Sequence, residues 1–598
     1  MRFKSERVDG YQIFAVSGTN TVSFGIDFAG ANIEGLLGFA VERKEPGGRP
    51  LDMYGYKVFS SIIPKPDGKT AVFTSAHPIQ SFVWDDFTAK PGLKYEYRFR
   101  PFKGTPKSID RGAAAIPIAV EMEPLFSDRQ HDIFFNRGVA SSQAYVRKYG
   151  NKKPDQLPPK KSAEAKEWLS RSLDEAIVRF IEQATDKDTL LCSFYEFRYE
   201  PVLVALKKAI DAGVDVKIIV DAKVNEHFDK KLGKMVESFP REDNLRMIES
   251  VGIPDDNIIL RESKPNEIQH NKFMVLLRPG KKAKSEVWTG STNLSIGGFH
   301  GQTNVGHWIR DSDVAAAFKA YWELLKDDPG PKKGATASEA KKKNAEWRKG
   351  VGDLARVPTT VSKIPKGITC VFSPRAGLDV LKMYATMVDD AADLSCITLA
   401  FGIGKIFKEL LSNNTPESHI AFFLLEKQDK PNARSKDPFV ALTAKNNVYK
   451  AWGSYLRDPV YQWAKETSAK ALGLNTHVSY IHSKFLLKDP LSTDPIVVTG
   501  SANFSDASTN DNDENMLIIR GEQRVADIYF TEFNRLFNHY YFRSIVETNK
   551  KKTAAEKKKS KARSLFLQEN DGWLKDYTKA DSLKRKRVAI FSKMKGFT

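Results

Sequence analysis

IQHNKFMVLL at 268–277 and YIHSKFLLKD at 480–489 are the two stretches on which the reading of this 598-residue chain turns. Each sets a histidine and a lysine two residues apart at the head of an apolar run. On a strand, positions i and i+2 project to one face, so His270 and Lys272 leave together, as do His482 and Lys484. The runs FMVLL and FLL would hold each strand in a buried sheet. Outward from them the two regions keep matching. VWTGSTNLS (287–295) precedes QTNVGHWI (302–309), and VVTGSANFS (497–505) precedes DENMLII (513–519). His270 to Gly290 is 20 residues and His482 to Gly500 is 18, while Asn293 to Asn304 and Asn503 to Glu514 are both 11. Three matched blocks in one order define an internal repeat.

A glycine in each Gly-Ser-x-Asn turn lets backbone approach a ligand, and Ser291, Asn293, Ser501 and Asn503 offer hydrogen bonds. Brought together, the halves supply two histidines, two lysines and two asparagines to one pocket. Two fixed ammonium charges and several amide donors suit a phosphate diester and its more highly charged transition state. A single histidine beside a strand is ordinarily a satisfied or exposed residue. A lysine on the same face of a buried sheet is harder to explain as packing. The other eight histidines, His77, His227 and His539 among them, lack such surroundings. GIGK at 402–405 lacks the spacing and the Ser/Thr of a phosphate-binding loop and reads as a helix start.

These residues resemble the phospholipase D superfamily, whose signature H-x-K-x4-D followed by G-S/G-x-N occurs twice per active site. The resemblance covers about residues 165–545. It implies two α/β halves about a pseudo-twofold axis, with both motifs meeting at their interface. It also implies a two-step reaction through a phosphohistidine, one histidine attacking phosphorus and the other protonating the leaving oxygen, with no metal or cofactor. The second motif is complete in His482, Lys484, Asp489, Ser501, Asn503 and Glu514. The first carries Leu277 at the Asp position and Asn304 at the position of Glu514. The resemblance makes His270, Lys272, His482, Lys484, Asn293, Asn503 and Glu514 catalytic, and Ser291, Ser501 and Asn304 substrate-binding.

A neighbouring carboxylate raises a histidine pKa. If Glu514 contacts His482, that histidine suits the proton-donating role, and His270 without such a partner suits the neutral nucleophile. Asn304 equally fits a decayed first half in a protein that only binds.

The rest of the chain frames these motifs. Alternating apolar and polar residues over 1–125 suggest a β-sandwich, and SFVWDDFTAKPGLKYEYRFRPF resembles a fibronectin type III or immunoglobulin-like segment, with a core Trp and with Tyr95, Tyr97 and Phe99 on one face. A polar connecting segment follows over 126–164. From 165 to 328 helical and strand patterns alternate, implying a largely parallel α/β sheet covered on both faces. A basic, low-complexity linker spans 329–352, a second α/β half 353–547, and a basic tail 548–598 with Lys550–Lys552, Lys557–Lys559 and KRKR at 584–587. That tail reads either as a solvated, frayed helix or as a nucleic-acid contact.

With 93 Lys+Arg against 74 Asp+Glu the net charge is +19, which favours a polyanionic partner, nucleic acid or an anionic membrane surface. Cys192, Cys370 and Cys396 sit beside apolar runs as buried free thiols. The first residues lack an apolar signal core and no stretch is apolar enough to span a bilayer, so the reading is cytoplasmic. The substrate expected is DNA or RNA, with a phospholipid head group as the alternative in a phospholipase or phosphatidyltransferase. The β-region is left to position substrate or to meet a protein partner.

Overall fold

A computed structural model describes residues 1–598 apart from 67–69, 139–144, 146–147, 151, 153, 230–232, 265, 281–283, 432–438, 454–479 and 551–565, and gives backbone only for 542–550. Two seven-stranded sheets carry the motifs. The first runs His131–Phe135, Val305–Arg310, Glu286–Gly290, Lys272–Leu277, Thr189–Phe194, Asp215–Asp221, Ile258–Arg261. The second runs Gly367–Ser373, Glu514–Arg520, Ile496–Gly500, Phe485–Lys488, Leu394–Leu399, Ile420–Leu425, Val448–Trp452. Strand for strand the pairings agree: the first four pairings in each sheet are antiparallel and the last two parallel. The expectation of a largely parallel sheet is therefore corrected to a mixed one. The motif strands enter as antiparallel neighbours of the first βαβ strand, which brings their histidine ends to the edge where the parallel strands finish.

Both faces of each sheet are covered, which explains the unbroken apolar runs. In the strand Lys272–Leu277, Met274 and Leu276 pack outward with the helices Leu173–Glu182 and Glu200–Asp211. Phe273 and Val275 pack inward, into a core shared with Phe485, Leu487, Val497 and Leu517 of the second half. The helices Ser312–Lys326 and Gln523–Lys550 supply Phe318, Tyr321, Trp322, Tyr529 and Phe533 to that shared core. The second half's outer core is built around the helix Asp379–Asp389.

Three segments read as connections are structural. The stretch 126–164 contributes the strand His131–Phe135, an edge of the first sheet. The basic linker folds as the helix Ala337–Leu354, started by a capping box between Thr336 and Glu339 and buried along Trp347 and Val351; its lysines are its solvent face. The tail reading fails over 566–598, while the lysine triplets lie within or next to the segment outside the described residues. Trp573, Leu574, Tyr577 and Val588 enter the core of the N-terminal region. The KRKR cluster is spent internally: Lys584 pairs with Asp576, Arg585 lies over Phe28, Lys586 donates to the Ser418 carbonyl and Arg587 lies over Phe422. Composition made this stretch look solvated because its apolar anchors are widely spaced among the cations.

The N-terminal region is β-rich. A four-stranded sheet (2–4, 12–17, 22–27, 83–86) and a five-stranded sheet around Leu36–Lys44 and Lys94–Thr105 share one apolar cluster. Tyr95, Tyr97 and Phe99 all face that cluster, and Trp84, half-buried, stacks on Phe24. Arg2 ties the region to the second half. Its guanidinium is fully buried, pairs with Asp527 at 2.9 Å, and donates to the carbonyls of Pro490, Leu491, Ser492 and Lys595. Cys192 and Cys396 are buried free thiols, and Cys370 is half-buried. Among the described residues no helix is long and apolar enough to cross a membrane.

Arg2→Ala leaves the buried Asp527 only the Met1 ammonium at 3.5 Å and takes the donor from four carbonyls, so it should cost about 3 kcal/mol. The measurement is urea unfolding followed by tryptophan fluorescence; an unchanged midpoint would deny the anchor.

Candidate active site

The two motif segments are stitched together across the interface by backbone. His270 N donates to the Asp513 carbonyl at 2.9 Å and Asp513 N to the Ile268 carbonyl at 3.0 Å. Symmetrically, Thr303 N donates to the Tyr480 carbonyl at 2.7 Å. Each histidine segment thus forms a short parallel bridge with the residue preceding the other half's Glu514 or Asn304.

This stitching crosses the pairing of the side chains. His270 Nδ1 donates to Glu514 Oε2 at 3.0 Å, and His482 Nδ1 donates to Asn304 Oδ1 at 2.8 Å. The premise that Glu514 contacts His482 is overturned. Sequence separation suggested a partner from the same half, whereas the pseudo-twofold delivers it from the opposite one. Asn304 is held in one orientation, since its Nδ2 donates to the Gly298 carbonyl and its Oδ1 also accepts from Ser291 Oγ. Both rings therefore carry the proton on Nδ1, which leaves Nε2 for chemistry. The ring centroids are 6.4 Å apart.

Lys272 and Lys484 reach the same place. Lys272 Nζ donates to the His270 carbonyl at 2.5 Å and lies over the Tyr195 ring, and Lys484 Nζ donates to the His482 carbonyl at 2.7 Å. Neither histidine nor lysine is more than 3% exposed. Burial, then the ammonium groups of Lys272 and Lys484, hold both histidines well below the usual imidazole range. Burial brings Lys272 down to about 7, opposed by Glu514, Glu196 and Asp221, and pushes Lys484 well below its ordinary value with Lys272 adding to the effect. Burial raises Glu514 to about 7 against the pull of the two lysines. The site is thus a pair of neutral imidazoles beside ammonium groups that burial has made easy to discharge.

Other expected residues fall into different places. The Ser291 hydroxyl is spent on Asn304 and Val305 N, and that of Ser501 on the backbone of Asn515. Both serines lock the motif turn to its neighbouring strand, and Asn304 positions His482. The glycines serve the same junction: a Cβ on Gly290 would stand 2.2 Å from the Val305 carbonyl oxygen, and one on Gly500 2.2 Å from that of Asn515. The close approach they permit is to a strand, which corrects the expectation of a ligand there. Asn293 Nδ2 donates to Glu196 at 2.7 Å; the Oδ1 atoms of Asn293 and of half-buried Asn503 are buried without a partner among the described residues. Asp489 accepts from the backbone N–H groups of Ala392, Asp393 and Leu394 and so caps a strand start. GIGK begins the helix Lys405–Leu411.

Glu196, at most 1% exposed, escaped the sequence reading. It closes the apolar run LLCSFYEF two residues beyond the strand Thr189–Phe194, and its twofold counterpart is the exposed Phe401. A carboxylate ending a buried strand was the available signal. Asp513 escaped as well. Its carboxylate takes Arg261 at 3.0 Å and Trp347 at 2.9 Å, bracing the residue next to Glu514. No group of three His, Cys, Asp or Glu side chains among the described residues is placed to hold a metal ion.

The family model described as "Cardiolipin synthase, PLD-like domain" matches residues 177–325 and 432–537. The chain carries this phospholipase D-like catalytic domain in duplicate, the domain of a phosphodiesterase-type hydrolase. No curated protein matches the chain. Among solved structures, phosphatidylserine synthase from Haemophilus influenzae aligns at 14% identity over 62% of this chain and 85% of that one, with a TM-score of 0.39. Polyphosphate kinase from Porphyromonas gingivalis aligns at 11% identity over 58% of this chain, with a TM-score of 0.36; the alignment spans only 46% of the kinase. The phospholipase D family member Nuc from Salmonella typhimurium aligns at 23% identity over 25% of this chain and 83% of that one, with a TM-score of 0.19.

A lysine whose pKa is lowered in the folded state binds fewer protons there than when unfolded, so it costs stability fully below its folded pKa. Lys272→Met should therefore raise the thermal midpoint most at or below about pH 7. The gain should fade as pH approaches the ordinary lysine value. A lower midpoint at pH 6 than wild type would contradict this electrostatic reading.

Proposed function

We propose that the chain is a metal-independent phosphodiesterase that cleaves DNA or RNA through a phosphohistidine on His270. The observation that carries the reading is the cross-pairing of His270 with Glu514 and of His482 with Asn304. Glu514 holds the His270 Nδ1 proton, so Nε2 presents its lone pair to phosphorus. As the N–P bond forms, the ring becomes cationic and the carboxylate at 3.0 Å stabilises it. The P–O bond to the leaving group breaks, and that oxygen takes the proton of His482 Nε2. Water then attacks the phosphohistidine, gives its proton back to His482, and releases the phosphoryl product with His270 neutral again.

The nucleophile is thus the histidine anticipated from the sequence, on the opposite ground: it is chosen because it has the carboxylate, not because it lacks one. Asn304 accepts the His482 Nδ1 hydrogen bond without adding charge, which suits a histidine that must surrender its Nε2 proton. Lys272 and Lys484 supply the positive charge that a phosphoryl transition state needs at its non-bridging oxygens, with the amides of Asn293 and Asn503 as neutral polar neighbours. A bound phosphodiester anion offsets the two ammonium groups that hold both histidines low, so substrate itself restores the His482 proton. The net charge of +19 favours nucleic acid over neutral lipid. In this reading the N-terminal region is a fibronectin type III- or immunoglobulin-like module, supported by Tyr95, Tyr97 and Phe99 packing against Phe24 and the rest of its apolar cluster.

Single-stranded DNA, RNA and phosphatidylcholine vesicles, each with and without EDTA, test the substrate. Cleavage of DNA or RNA is expected to resist EDTA and to vanish in Lys484→Ala; choline release with inert nucleic acid would move the protein to the phospholipases. Quenching in alkaline detergent, which preserves a P–N bond, tests the roles. With an activated diester, whose leaving group needs no proton, His482→Ala should accumulate phosphoenzyme and His270→Ala should form none. The reverse pattern would exchange the two histidines.

A further inference from the structure

Beyond the two lysines, the edge of the sheets that carries the site bears cations with no acidic partner of their own. The edge strand of each half ends beside a catalytic histidine's partner. In the second sheet Ser373 stands directly across from Glu514. In the first, Asn136 accepts from the backbone N–H of Asn304 at 2.8 Å. Each strand is followed at once by an arginine. Arg375 lies two residues past Ser373 and Arg137 one past Asn136, within about 7 Å of chain.

Neither arginine has a carboxylate partner among the described residues. The Arg375 guanidinium donates, among the described residues, only to the carbonyls of Phe372 and Ala355, at 3.5 and 3.3 Å. It lines a cavity of about 780 Å³ together with Arg348 and Lys349. Two acids share that cavity, Asp511 held by Arg348 and Asp353 held by Lys349, so the Arg375 charge is the one left over. Arg137 donates its Nε to the Trp168 carbonyl and lies 4.3 Å over that indole. Behind it Arg171 and Arg535 share the single carboxylate of Glu532, giving three guanidinium groups to one acid. Burial lowers both arginines, Arg137 to about 9 with Arg171 and Arg535 adding to the effect. Half-buried cations of this kind gain most from an anion that comes with the substrate.

We propose that Arg375 and Arg137 are flanking phosphate sites, holding the phosphates on either side of the scissile one in a single nucleic-acid strand laid across the paired motifs. The proposal rests on the phosphodiesterase reading and narrows its substrate to a polymer. One diester anion together with the Glu514 carboxylate balances the two site lysines, so the flanking cations call for further phosphates. The strand enters singly because the scissile phosphate must reach side chains no more than 3% exposed. The pseudo-twofold sets one cation on the His270–Glu514 side and the other on the His482–Asn304 side. The strand therefore crosses the site from half to half.

The test uses the full chain, a single-stranded 12-nucleotide oligomer, and the p-nitrophenyl ester of thymidine monophosphate, which has one diester only. Arg375→Gln and Arg137→Gln should each raise KM for the oligomer about tenfold. The salt dependence of binding, measured in the His270→Ala background, should fall by about one charge for each. kcat/KM on the small ester should not change. Lys349→Ala, an exposed change on the cavity rim, should weaken the oligomer in the same direction and serves if Arg375→Gln fails to fold. Equal losses on both substrates, or unchanged affinity for the oligomer, would overturn the flanking sites while leaving the nuclease reading intact. Oligomer binding that both variants weaken, without cleavage by wild type, would overturn the nuclease reading and keep the flanking sites. No oligomer binding at all would overturn the sites.

Discussion

His270 and His482 each take their Nδ1 partner from the opposite half of the molecule, and this constraint governs the rest of the structure. A hydrogen bond of 2.8–3.0 Å between side chains on separate sheets tolerates little displacement. The two halves must therefore be registered to a fraction of an ångström. The backbone bridges at Gln269–Asp513 and Thr303–Ile481 provide that registration where it is needed. The shared apolar core, with Tyr321 and Tyr529 wedged between the sheets, holds the halves at the matching distance. Arg261, Trp347 and Lys264 converge on Asp513, so the helix Ala337–Leu354 also braces the bridge between Gln269 and Asp513.

Duplication gives the site its symmetry, and a few substitutions give it direction. Glu514 against Asn304 makes one histidine carboxylate-backed and the other amide-backed. Glu196 against Phe401 ties down the amide of Asn293, with no matching carboxylate bonded to Asn503 among the described residues. Such differences matter because attack on a diester is itself asymmetric, with the attacking atom and the departing oxygen on opposite sides of phosphorus. Packing four buried ionisable groups and a carboxylate together costs folding free energy. That cost is consistent with a site whose groups change charge when an anion arrives.

Much of this could be read before any coordinates. The H-x-K spacing, the apolar runs and the 11-residue separation from each motif Asn to Asn304 or Glu514 report strand geometry, and strand geometry is local. The N-terminal β character likewise followed from period-2 alternation, with Tyr95, Tyr97 and Phe99 turning to one side. Errors arose where composition stood in for packing. Lysine-rich stretches at 329–352 and 584–587 looked solvated, yet Trp347, Trp573 and Val588 anchor them. The strand His131–Phe135 is five residues long and joins its sheet through a partner some 170 residues away, beyond what local pattern can show.

Chemistry at two fixed spacings, repeated in order, marks out the candidate site in the sequence, because such spacing constrains a strand and the turn that follows it. Only the tertiary structure decided who partners whom. Glu514 lies 32 residues from His482 and 244 from His270, and it bonds the distant one. Proximity in the chain cannot predict a contact made by a twofold that exchanges the two halves. The same exchange brings Asn304 to His482, with the Ser291 hydroxyl holding its amide in place.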